Sequence, residues 1–214
     1  MNVHLSLLPA RQSLRTQRKR RVSRGQALVE FALFVPLFFF MLIGATDIST
    51  LLNNHLDVVY AARAGARVGS VIGQYSPPAP AQYTADCAII GAVQAALSNS
   101  RGVNVKQIAI YQADANGQPK SSALEDVYPG NAVCNSDGTI SPAATQTGWP
   151  PSVRSTTPFQ EDSIGVAISY SYTYQFNPLG DQFTPAGNGV FSATDDSVMP
   201  IEIVIGTPRP TATP

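Results

Sequence analysis

From Ala27 to Ala45 the chain reads ALVEFALFVPLFFFMLIGA, and every side chain in the run except Glu30 is apolar or small. At 1.5 Å per residue such a run reaches across a hydrocarbon core of about 30 Å, so the pattern predicts a membrane-spanning helix. Pro36 would kink a soluble helix, but lipid-embedded helices tolerate proline because neighbouring groups re-satisfy the freed carbonyl. Beyond the run, from Asp47 to Ile72, the apolar positions thin out to Ile48, Leu51, Leu52, Leu56, Val59, Ala62, Ala66 and Val68 or Gly69. Their spacing of three and four is helical and one-sided. The stripe passes from bulky residues to alanine and glycine at AARAGAR, Ala61 to Arg67, where another backbone could approach closely. Gln26 to Ile72 is therefore expected to be one helix, roughly 70 Å long, lipid-embedded in its first half and amphipathic in its second.

A proline-rich break comes next at SPPAPAQ, Ser76 to Gln82. Thr84 to Ser98, TADCAIIGAVQAALS, has the pattern of a second amphipathic helix, and Val103 to Tyr111, VNVKQIAIY, alternates as a strand. Asn116 to Thr157 carries turn residues and little periodicity, which predicts a long surface loop. The clearest alternation runs from Ile164 through Val166, Ile168, Tyr170, Tyr172 and Tyr174 to Phe176, the mark of a half-buried antiparallel strand. Its tyrosine ladder could form a sticky surface, but burial against the helices is the expectation, since aromatics pack well on sheets. Ser197 to Ile205 gives a last strand, placed at an edge by Pro200. The predicted class is α+β: a long N-terminal spine helix, then a small domain with a second helix packed on a short antiparallel sheet. The boundaries read as a leader at 1–25, the spine at 26–72, one domain at 73–206 and a Pro/Thr-rich tail at 207–214.

Charge sharpens this picture. Arg11, Arg15, Arg18, Lys19, Arg20, Arg21 and Arg24 are half of the fourteen cations, and no acid accompanies them. A cut after Gly25 leaves seven cations against fourteen acids, a net charge of −7, which argues against a nucleic-acid partner. By the positive-inside rule the basic cluster holds the N-terminus in the cytoplasm, so everything after the span is expected outside. A low charged fraction, 13%, with plentiful glycine, proline, serine and threonine suits an exported β-rich domain.

A carboxylate inside an apolar block is expensive and usually functional. Gly25 stands five positions before Glu30, and Phe31 comes directly after it. This is the pattern a prepilin peptidase reads in type IV pilin-like precursors. RGQALVEFALFVPL, with AARAGAR about 30 residues later, resembles the TadE-like family, the pseudopilins of tight-adherence (Tad/Flp) pilus assembly. The resemblance implies a bacterial single-pass protein of the cytoplasmic membrane or of the pilus built from it, not an enzyme, with no cofactor. Its implied partners are a prepilin peptidase, other pilins or pseudopilins, the assembly platform and membrane lipid. Gly25 and Gln26 would flank the scissile bond, and Glu30 and Phe31 would be the recognition pair. Cleavage frees an ammonium on Gln26, which Glu30, one turn away, could meet within the chain or from a neighbouring subunit. The competing readings are a cleaved secretory signal and an unprocessed tether carrying an extracytoplasmic binding domain.

Other residues carry less. Arg63 and Arg67 share a helix face, so with Glu30, Ala62 and Ala66 they are candidate assembly contacts, against solvated charges as the plain alternative. His55 has no second histidine or cysteine in sequence reach, so a metal role is not expected. Cys87 and Cys134 both fall on the exported side, where a disulfide is favoured over two free thiols. Asp114 to Gly117, DANG, reads as a turn rather than the start of a calcium loop. An exported hydrolase would need Glu161, Asp195 or Asp196 to converge on a pocket.

Overall fold

The structure is a computed structural model describing residues 24–73, 84–100, 102–157, 160–173 and 190–202. The leader up to 23, the break at 76–82, Tyr174, Phe176, residues 203–205 of the expected last strand and the tail lie outside the described residues. The chain forms two compact units, Met1–Leu42 and Ile43–Pro214. Helix α1, Arg24–Ile72, belongs to both and continues through Pro36.

In the first unit α1 is a bare apolar helix. Phe31 is 70% exposed, and Leu28, Phe34, Leu37, Phe38 and Met41 are also open. A soluble helix would bury such side chains, whereas lipid is as apolar as they are. Among the described residues this is the one helix long and apolar enough to cross a membrane.

The second unit is an α+β layer packing. Helix α2, Ala85–Leu97, is capped by Thr84, whose hydroxyl accepts from the Cys87 amide at 3.3 Å. The main sheet is antiparallel with strand order β5-β2-β1-β6-β7. Its strands are β1, Val103–Ala113, β2, Glu125–Pro129, β5, Gln146–Thr147, β6, Ser163–Thr173, and β7, Val190–Pro200. Two further short strands, β3, Val133–Cys134, and β4, Ile140–Ser141, make a separate hairpin. In strand β6 the alternating Ile164, Val166, Ile168, Tyr170 and Tyr172 are all buried, so the described part of the tyrosine ladder faces the core, and Gly165 and Ser171 between them are buried as well. On the other sheet face the Tyr111 ring lies across Gly165, where any Cβ would overlap it.

The core joins α1, α2 and the sheet through Val58, Ala61, Ala62, Ala66, Ile89, Ile90, Val93, Ile108, Ile110, Ile164 and Val166. The small residues of α1 allow this. A Cβ on Gly65 would stand 2.8 Å from Val93 Cγ2, and one on Gly69 would stand 2.8 Å from Ile164 Cδ1.

Two expectations need correction. Residues 116–157 are not simply a surface loop: β2 pairs along Gln107–Tyr111 of β1, and Tyr128, Trp149 and Arg154 are buried. The last strand begins earlier than its sequence pattern implies, at Val190, and pairs with β6 as far as Pro200. It does form a sheet edge, in keeping with Pro200.

Candidate functional site

Gly25, Gln26, Glu30 and Phe31 occupy the first two turns of α1 and are all exposed. The Gln26 Nε2 amide donates to Glu30 Oε1 at 3.3 Å, so Glu30 reaches back one turn to the residue after Gly25. Gly25 is already helical here. A peptidase that takes an extended strand would first unwind this turn, whose residues are exposed from Gly25 on.

Further along, in the second unit, α1 is apolar on two opposite faces. One face is buried: Val58, Ala61, Ala62 and Ala66 are fully covered by α2 and the sheet. Ala62 and Ala66, expected at an inter-subunit contact, are therefore filled by the chain's own domain. The other face is open: Ile48, Leu52 and Leu56 are about half exposed or more, and Tyr60 is 60% exposed. Arg63 and Arg67 continue it at helical spacing and are exposed.

His55 is part of the domain rather than an isolated polar residue. Its Nδ1 is 2.9 Å from Asp195 Oδ2 on β7 and 3.2 Å from the Tyr170 hydroxyl on β6, which ties helix to sheet. Burial, reinforced by Asp195, pushes the Tyr170 phenol above its ordinary range. Asp196, next along β7, points to the other face and accepts from the Tyr111 hydroxyl at 2.8 Å. Asp195 and Asp196 thus diverge, and Glu161 is exposed. Asp114 accepts from the amides of Asn116 and Gln118 at 2.8 and 2.9 Å, a turn as expected.

Sequence reasoning missed the buried cluster around Arg154. Its Nη2 lies 2.6 Å from Asp86 Oδ1 of α2 and 3.2 Å from Asp126 Oδ2 of β2. Nη1 donates to the Gly73 carbonyl just beyond α1 at 3.0 Å, Nε and Nη2 donate to the Trp149 carbonyl, and the guanidinium lies 4.7 Å over the Trp149 ring. The Tyr128 hydroxyl donates to Asp86 Oδ2 at 2.9 Å and the Trp149 amide to Asp126 Oδ1 at 2.9 Å. Two carboxylates share one guanidinium, so burial pushes Asp86 up to about 6; Arg154 opposes this and Asp126 adds to it. Asp86 Oδ1 makes no hydrogen bond and is met only by the Arg154 charge, while the other polar atoms named here are hydrogen-bonded, which suits a structural clamp gathering α1, α2 and β2. The only signal in the sequence was the lone tryptophan near an arginine in a weakly charged chain. Beside the cluster, Cys87 of α2 and Cys134 of β3 form a disulfide with Cα atoms 5.1 Å apart, fastening the β3–β4 hairpin to the helix.

A family model described as TadE-like protein matches residues 25–67. That stretch holds the Gly25–Phe31 segment, the apolar span and both faces of α1 up to Arg67. No curated protein and no solved structure matches the chain.

Proposed function

We propose that this protein is a membrane-anchored minor pilin or pseudopilin of a Tad/Flp-type pilus, clipped between Gly25 and Gln26 by a prepilin peptidase. It joins other pilins or the assembly platform through the outward face of α1. The observation that carries this reading is the two-faced helix: its own domain takes the face of Ala62 and Ala66, while Leu52, Leu56, Tyr60, Arg63 and Arg67 stay open. The TadE-like match over 25–67 supports the same assignment. An exposed apolar stripe on a helix that already has a packed face calls for an external partner. Glu30, a carboxylate in an apolar stretch, serves to meet a cation, the freed terminus of an adjacent pilin. The α+β domain then sits outside the cytoplasmic membrane, where the Cys87–Cys134 bond is chemically at home.

The test is the intact mass of protein extracted from membranes that contain an active prepilin peptidase. A chain beginning at Gln26 is expected. A chain still carrying the leader favours an unprocessed tether.

A further inference from the structure

With the cut proposed between Gly25 and Gln26, glutamine becomes the first residue of the mature chain. Resting on that processing, we infer that the mature N-terminus is a pyroglutamyl lactam formed at Gln26, not a free ammonium. A terminal glutamine has its own electrophile, Cδ, within five-membered-ring reach of its amine, so attack is intramolecular and strongly favoured by proximity.

Two observations on α1 argue for closure. The first is electrostatic. The freed amine would stand at the N-terminal end of the helix, where unpaired amides already carry a partial positive charge, and the first turn holds no acid. Glu30 is the sole acid between Arg24 and Leu42. Converting the ammonium to a neutral lactam removes a like charge from the dipole end and a charge from the edge of an apolar segment. The second is geometric. Glu30 Oε1 is 3.3 Å from Gln26 Nε2, the nitrogen that cyclisation expels, and both side chains are exposed.

The step balances without oxidant or cofactor. The Gln26 amine, as its free base, forms a bond to Cδ; the Cδ–Nε2 bond breaks and Nε2 departs as ammonia. The attacking nitrogen loses one proton and the leaving nitrogen gains one, and the Glu30 carboxylate, in contact with Nε2, is placed to relay a proton to the departing group. Closure also changes what Glu30 can pair with. Blocked copies of this chain offer one another no terminal ammonium, which directs Glu30 toward the free N-terminus of a different pilin.

The experiment is intact mass and peptide mapping of the full chain, extracted from membranes of cells with an active prepilin peptidase. The predominant species is expected to begin at Gln26 and to be lighter than the free-amine form by one ammonia. Fragmentation should map that loss to the N-terminal peptide. Those Gln26→Ala chains that begin at position 26 should show no such loss. A chain that begins at Gln26 with a free or methylated amine overturns the lactam and leaves the processing site standing. Retention of the leader overturns the processing and the lactam together, and its mass distinguishes that outcome from the others.

Discussion

One helix solves two different problems. Before Leu42, α1 exposes phenylalanine and leucine on all sides and has a lone carboxylate; from Ile43 on, the same helix buries alanine and glycine against its own domain. Small residues on a helix are commonly read as a seam for another molecule, because they let backbones approach. Here Gly65 and Gly69 give that space to Val93 and Ile164 of the same chain. The lesson is that a small-residue face and an exposed apolar face can lie on opposite sides of one helix, and only burial tells them apart.

The contrast breaks most readily at Arg154. Removing the guanidinium strands Asp86 and Asp126 in the core, so Arg154→Ala should destabilise the domain by about 3–5 kcal/mol, read by chemical unfolding in detergent. Membrane extraction behaviour, which depends on the first unit, should not change. Next comes the Cys87→Ser/Cys134→Ser pair. Losing a bridge that closes a separation of 47 residues should cost the domain about 2–4 kcal/mol.

A smaller effect is expected from pH. Asp86 sits at about 6 in the folded protein against an ordinary 3.8. Because its folded value is raised, its contribution is fully present below 3.8 and is lost as pH rises through about 6. Stability from this group should therefore fall by up to ~3 kcal/mol between about pH 4 and pH 7. The charged and titratable groups facing it are Arg154, Asp126 and Tyr128, and Asp86→Asn should flatten this component of the pH–stability curve. Smaller again is Gly65→Val. Its first added carbon already meets Val93, so overpacking of about 1–3 kcal/mol is expected, read by chemical unfolding in detergent.

Much of this architecture is legible in the sequence because helix signals are local. Thr84 and Ser98 bound the second helical pattern and prove to be the caps of α2, and the alternation from Ile164 marks a strand that is buried as expected. The stretch 116–157 is not legible, because β2 is five residues long and β3, β4 and β5 are two residues each. Strands that short leave little periodicity, and what organises them is an arginine whose partners come from distant segments. Arg154 among serines and threonines looks like a solvated cation until Asp86 and Asp126 are seen beside it. The outward face of α1 is half legible: Leu56, Arg63 and Arg67 stand out in the sequence, but their separation from Ala62 and Ala66 needs the domain in place.

Site-specific photo-crosslinking along α1, in membranes that contain the full assembly system, tests the central claim most directly. Probes at Leu52, Leu56, Tyr60, Arg63 and Arg67 should give adducts to other chains, while probes at Ala62 and Ala66 should give only adducts within the chain. Intermolecular adducts from Ala62 and Ala66, with none from Leu56 and Tyr60, would contradict it.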